Sequence, residues 1–200
     1  MKDKVVVITG GNSGIGRVTA TEIAKMGAQV VIVCRNEDKG RAVQEDINAL
    51  TGLSNCDMFL CDFSSPASIK KFAKEFRMKY NCVDVLINNA GALFNPRQKT
   101  SEGLEQSFAL LLLSPFIFTQ QLKPLLANNA RVINVLSGGM YSQAVDVDDL
   151  ENQQGIYSGS VAYAKAKRGL MIVTEQWAKL WQADGISVHA MHPGWADTAG

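Results

Sequence analysis

Two hundred residues, 46% of them apolar and 20% charged, supply enough chain for one domain with a substantial core. A formal net charge of +1, with no block of lysine or arginine, gives no field for gathering nucleic acid, so that class of partner is set aside. The N-terminus Met1-Lys2-Asp3-Lys4 runs into an apolar strand without a signal region, and Cys34, Cys56, Cys61 and Cys82 lack metal-ligand spacing. Both features predict an intracellular, cytoplasmic protein with reduced, buried thiols and no metal.

In chain order, the first predicted strand, over 4–9, ends in Thr9-Gly10-Gly11-Asn12-Ser13-Gly14-Ile15-Gly16, where a helical pattern over 15–26 begins. A strand, a glycine-rich turn and a helix start are what a dinucleotide needs. Gly10 turns the chain off the strand, Gly14 admits a pyrophosphate against the backbone, and Gly16 lets the helix lie close to the sheet. The first N–H groups of the helix, with the positive end of its dipole, face the phosphates.

Further strands are predicted over 29–34, 56–61, 83–88, 131–136 and 186–191, with helices over 38–50, 66–79, 101–126 and 160–183. Near-continuous apolar strands mark a sheet covered on both faces, hence parallel. The alternation predicts one α/β unit over 1–200, a doubly wound, mostly parallel sheet in the order 3-2-1-4-5-6 with helices on both faces. The apolar run from Phe108 to Phe118 is interrupted by Ser114-Pro115 and reads as a buried helix too short to span a bilayer, so no transmembrane segment is expected. Between Gly138 and Ser160 no periodicity is visible, and loops of that length are commonly functional. Within it, Asp146, Asp148 and Asp149 read as a solvated acidic face.

Ligands in such folds bind beyond the carboxyl ends of the strands. Ser137 follows the fifth strand there, and the next helix carries Tyr163 and Lys167, four apart and so on one face. Taken alone, that pair is an ordinary surface tyrosine and lysine. Beside Ser137 it becomes a candidate catalytic set: a cation favours the phenolate and draws the tyrosine toward neutral pH, while the serine hydroxyl bonds a carbonyl that the phenol protonates.

Over essentially its whole length the sequence resembles the short-chain dehydrogenase/reductase family. Thr9, Gly10, Gly14 and Gly16 match its glycine motif, Asp62 its adenine-contacting acid, and Asn88-Asn89-Ala90-Gly91 its segment after the fourth strand. Ser137, Tyr163 and Lys167 match its catalytic serine, tyrosine and lysine, and Pro193-Gly194 with Thr198 match its nicotinamide segment. The resemblance implies hydride transfer between a nicotinamide and a carbonyl or alcohol carbon of a poorly polar small molecule. Tyr163 would be the acid or base, Lys167 would lower its pKa and hold the ribose hydroxyls, and Ser137 would orient the substrate oxygen. The cofactor would lie along Thr9, Gly10, Asn12, Ser13, Gly14, Ile15 and Gly16, then Arg35, Asp62, Asn89, Ala90, Gly91, Tyr163, Lys167, Pro193, Gly194 and Thr198.

Where NAD-preferring members place a carboxylate after the second strand, this chain has Cys34 followed by Arg35. Arg35, helped by Arg17, is expected to neutralise a 2′-phosphate, so NADP(H) is favoured over NAD(H). Two departures from the family stand out. Leu111 occupies the position of its catalytic asparagine, where a leucine cannot order water, so a nucleotide-binding pseudoenzyme or a truncated isoform with little or no turnover is the rival expectation. The family's last strand and closing helices have no counterpart before Gly200, so the sixth strand is expected to be an open edge. Family members commonly form homo-oligomers through the helices that here carry Phe116 and Trp177.

Overall fold

In the computed structural model, which describes residues 1–194, six strands form one parallel sheet: β1 (Val5–Thr9), β2 (Gln29–Cys34), β3 (Cys56–Leu60), β4 (Val83–Asn88), β5 (Leu126–Val135) and β6 (Ser187–Met191). Their order is β3-β2-β1-β4-β5-β6, with β6 at one edge, as the sequence predicts. The helices are α1 (Gly14–Lys25), α2 (Glu37–Thr51), α3 (Pro66–Lys79), α4 (Gln106–Phe108), α5 (Ser114–Leu122) and α6 (Gly159–Leu180). Thr198, assigned to the cofactor from sequence, lies outside the described residues.

Successive side chains leave a strand on opposite faces, so each apolar strand feeds two cores. Val6 and Ile8 of β1 pack with Ala20, Ala24, Val43 and Ile47 of α1 and α2. Val7 faces the other way, toward Phe72, Phe76, Phe118, Leu122 and Trp177 of α3, α5 and α6. The second core is aromatic at its centre: Phe118 stacks on Phe72 at 4.9 Å and meets Phe63 edge-on at 5.1 Å. Trp177 stacks between Phe116 and Trp181, at 5.5 and 4.9 Å.

The helical segment predicted over 101–126 differs in detail. It starts at Gln106, where the Glu105 carboxylate accepts from the Ser107 and Phe108 N–H groups, and a π-helical turn over Ala109–Leu113 separates α4 from α5. Pro115 has no N–H to return to the carbonyl of Leu111 one turn earlier, which removes an α-helical rung at that place. Contrary to the sequence reading, the 20-residue helical stretch Gln106–Leu125 is long and apolar enough to cross a membrane by length and composition. A core helix passes the same test, and here Phe118 and Leu122 are fully buried against the sheet and α3.

The loop over 143–158 also departs from expectation. Asp149 is buried rather than solvated, and its carboxylate accepts from the Gln153 and Gln154 N–H groups at 2.7 and 3.1 Å. Those backbone bonds, Gln153 foremost, hold its pKa below the usual carboxylate value.

Because Phe118 joins α3, α5 and Phe63 in one stack, Phe118→Ala is expected to lower stability by about 3–5 kcal/mol. Urea denaturation of the two chains measures the difference.

Candidate active site

Strand order reverses at β1, whose neighbours are β2 and β4, so the loops leaving β1 and β4 part at their carboxyl ends. Thr9 fastens them together. Its Oγ1 accepts from the backbone N–H groups of Asn89 and Ala90, each at 2.9 Å, and Asn89 Nδ2 donates to Thr9 O at 2.9 Å. Between the loops lies a cavity of about 840 Å³. It is lined by Gly10, Asn12, Ser13, Gly14 and Ile15 at the turn, and by Asn89, Ala90 and Gly91 opposite. Arg35, Asn36, Lys39 and Asp62 stand toward one end, and Tyr163, Lys167 and Pro193 toward the other.

The turn fits a dinucleotide on its own geometry. Gly10 has a φ of +66°, and a side chain at Gly16 would overlap the Gly10 carbonyl oxygen. Asn36 and Ser65 cap α2 and α3 through their side chains, whereas Ser13 makes no such bond at α1, whose first turn also holds no acid. The first N–H groups of α1 are thus left for an anion, in a cavity of dinucleotide size. Thr9 and Gly16 shape the turn from behind and do not line the cavity; nor do Ser137 and Gly194.

At the Arg35 end the sequence reading needs one correction. Arg17 pairs with Asp46 at 2.9 Å across α1 and α2 and does not line the cavity. Lys39 takes the place expected of it, one turn into α2, where its backbone N–H is held by the Asn36 side chain at 2.9 Å. Among the described residues neither Arg35 nor Lys39 has an ion-pair partner. Burial pushes the Cys34 thiol up to about 11, so no negative charge stands at the end of β2. Asp62 is held in the lining by Ser64, whose N–H and hydroxyl donate to Asp62 Oδ1 at 2.9 and 2.6 Å.

At the other end, Lys167 is buried and its Nζ donates to Val135 O at 2.7 Å, with the Tyr163 ring centroid 5.9 Å away. Burial brings the ammonium down to about 8. The phenol of Tyr163 does not move toward neutral as expected: its own burial pushes it above the ordinary value, and the neighbouring Ser137 hydroxyl pulls the other way. Ser137 Oγ also accepts from the Gly139 N–H at 3.3 Å, which fixes the hydroxyl at the start of the turn over Gly138–Ser142. Leu111 sits beside this group: a Cβ on Gly91 would lie 3.2 Å from Leu111 Cδ2 and 3.8 Å from Lys167 Nζ. Sequence reasoning did not place Phe63, Leu93, Phe94 or Leu110 in the lining, because no periodic signal marks the ends of loops. Among the described residues, no group of three or more His, Cys, Asp or Glu assembles a metal site.

A family model described as short chain dehydrogenase matches residues 4–200. The chain belongs to that family. It is 40% identical over 199 residues to dehydrogenase/reductase SDR family member 12 of Bos taurus, covering 98% of this chain and 62% of that protein. Retinol dehydrogenase 11 of Mus musculus is 34% identical over 193 residues, covering 96% of this chain and 61% of the relative. The chain thus spans about three fifths of the length of these curated relatives. A short chain dehydrogenase of Shigella flexneri, solved in complex with NADP, superposes with a TM-score of 0.82 at 26% identity, covering 100% of this chain and 80% of that one.

Burying the Lys167 ammonium costs stability, so Lys167→Met is expected to stabilise the fold at pH 7 by about 1–3 kcal/mol. The folded lysine releases its proton near 8 and the unfolded one near 10.5, so between those values the unfolded chain holds more protons and the native chain gains stability as pH rises. The advantage of the variant is therefore full below pH 8 and fades through that window. Urea denaturation at pH 7 and at the alkaline end of the window checks the sign.

Proposed function

We propose that this chain is an NADP(H)-dependent oxidoreductase acting on the carbonyl or alcohol carbon of a poorly polar small molecule. The observation that carries the reading is one cavity that unites the glycine turn, the cations Arg35 and Lys39, and the Tyr163–Lys167 pair. The nicotinamide, when bound, supplies or accepts the hydride. The residues of the chain supply placement and the proton. Arg35 and Lys39 would hold a 2′-phosphate, and the free N–H groups of α1 the pyrophosphate. NADP in the similar structure from Shigella flexneri supports this preference.

In the reducing direction Tyr163 Oη gives its proton to the carbonyl oxygen, and in the oxidising direction it takes one from the alcohol. A phenol kept protonated at neutral pH by burial is in the donor form that reduction requires. Ser137 Oγ hydrogen-bonds the same oxygen and holds it against the phenol. Lys167 places a positive charge beside the phenolate as it forms, and its remaining N–H groups reach toward the ribose hydroxyls. Leu93, Phe94 and Leu110 give the lining an apolar stretch, which together with the retinol dehydrogenase named among the relatives favours a lipophilic substrate.

Leu111 favours a second reading, a nucleotide-binding protein with slow or no turnover, because its side chain brings only hydrocarbon to Lys167.

In thermal melts of the purified chain, NADPH is expected to raise the midpoint more than NADH does, and Arg35→Ala with Lys39→Ala to reduce that difference by about 2–3 kcal/mol of binding free energy. Equal shifts by the two cofactors would remove the preference. Tyr163→Phe is expected to retain the NADPH shift while losing roughly 100-fold or more in carbonyl reduction, and Leu111→Asn to gain roughly tenfold. An absence of turnover in both the parent chain and Leu111→Asn, with the NADPH shift intact, would select the second reading.

A further inference from the structure

The helix that carries Tyr163 and Lys167 is entered from an irregular segment. Residues 143–158 form neither helix nor strand, so no ladder of backbone bonds fixes where the first turn of α6 stands over the cavity. A buried carboxylate ties it instead. Glu105 is fully buried at the start of α4, where Oε1 accepts from the Ser107 N–H at 2.8 Å and Oε2 from the Phe108 N–H at 2.7 Å. Oε1 also accepts from Tyr157 Oη at 3.0 Å, two residues before α6 begins. Ser107 Oγ, buried as well, stands 3.4 Å from the same Oη. Burial of the Tyr157 phenol holds its pKa above the ordinary value, so it remains a donor. The backbone is tied too: the Glu105 N–H donates to Glu151 Oε2 at 2.8 Å, and Arg97 Nη2 to Glu151 O at 3.2 Å. Where the segment enters α6, a Cβ on Gly159 would overlap the Phe94 carbonyl oxygen and lie 3.2 Å from Asn95 Oδ1.

We propose that Glu105 and Tyr157 form a clasp that sets the width of the cavity at its substrate end, with Tyr157 a positioning residue for Tyr163. Each side of the clasp carries lining: Phe94, Gln106 and Leu110 on one, Ser160 and Tyr163 on the other. Neither Glu105 nor Tyr157 lines the cavity itself. Gly159 lets the two sides meet backbone to backbone, closer than any side chain would allow, and the Tyr157 hydroxyl keeps them there. The width of the gap decides how far Tyr163 Oη stands from a carbonyl resting on Phe94 and Leu110, and misplacement by about 1 Å costs up to roughly 100-fold in rate. The closed gap also contributes to the burial of the Tyr163 phenol. A bond to a buried carboxylate holds such a gap better than an exposed pair, because breaking it leaves a desolvated acceptor short of a donor. The positioning role rests on the function proposed for Tyr163; control of the gap by the clasp does not.

Two variants of the full chain test the clasp: Tyr157→Phe removes the hydroxyl, and Gly159→Ala pries Phe94 away from α6. Fluorine NMR of the chain labelled with fluorotyrosine follows the titration of Tyr163, whose signal is identified by its loss in Tyr163→Phe. In both variants it is expected to titrate about half a pH unit or more below the labelled parent, because an opened gap hydrates the phenolate. The rise in melting midpoint given by NADPH is expected to match that of the parent. A Tyr163 titration unchanged in either variant, whatever its own melting midpoint, marks a merely structural contact and overturns the proposal. Each variant decides alone if the other fails to fold. In the reduction of decanal, both are expected to lose roughly tenfold in kcat at the parent's KM for NADPH. A raised KM for NADPH with kcat intact would assign the clasp to the cofactor end and also overturn the proposal. If the parent chain reduces no carbonyl, the function proposed above fails while the titration still decides whether the clasp sets the gap.

Discussion

A single threonine side chain holds the site open in the right shape. Where the sheet order reverses at β1, two loops leave in opposite directions, and nothing in parallel pairing fixes their separation. Thr9 Oγ1 takes the N–H groups of Asn89 and Ala90, and Asn89 returns a bond to the Thr9 carbonyl, so the glycine turn and the loop after β4 move as one body. Gly10 depends on that fastening, since a Cβ there would sit 3.0 Å from Ala90 Cα. The same approach sets Gly91 against Leu111 and Lys167, so both ends of the cavity inherit their spacing from one hydrogen-bonded corner.

Around that corner the molecule tolerates an uncommon amount of buried polarity. Asn88, Asn134, Thr119 and Thr174 link β4 and β5 to α5 and α6 through the middle of an otherwise apolar core. Directional bonds of this kind fix a register that apolar contacts alone would leave free to slide. Asn88 opposite Asn134 is one rung of the β4–β5 pairing, which places Val135 and its carbonyl where Lys167 reaches it. The lysine is thus positioned by a strand register, and the register by amides that do not line the large cavity.

The sheet was legible in the sequence because each central strand is apolar on both faces, a pattern that solvent-exposed structure rarely produces. The glycine turn and the ends of β4 and β5 were legible for a related reason: their residues are required by local backbone geometry. What the sequence concealed was pairing at a distance. Arg17 looked free because Asp46, its partner, belongs to another helix, and Lys39 gave no signal because only the start of α2 turns it into the cavity. Asp149 seemed one acid of a solvated three, yet a short loop wraps its backbone donors around it. The direction of the Tyr163 shift was misjudged because proximity to a cation can be read from spacing, whereas burial of the phenol cannot.

The chemistry of the Lys167 end follows from an opposition between stability and charge. A buried ammonium is costly in proportion to how little polar matter surrounds it, and Leu111, Leu110 and Leu170 supply hydrocarbon on several sides. Replacing such a leucine by an amide would ease the charge and at the same time put another polar group into a core that must satisfy it. This chain keeps the leucine, so the burden of holding the lysine charged falls on the Val135 carbonyl and on ligand hydroxyls arriving in the large cavity. A lysine so placed is most stable as a cation when the larger cavity is filled. Affinity for a polyhydroxylated ligand and protonation of Lys167 must then rise and fall together, because each supplies what the other lacks.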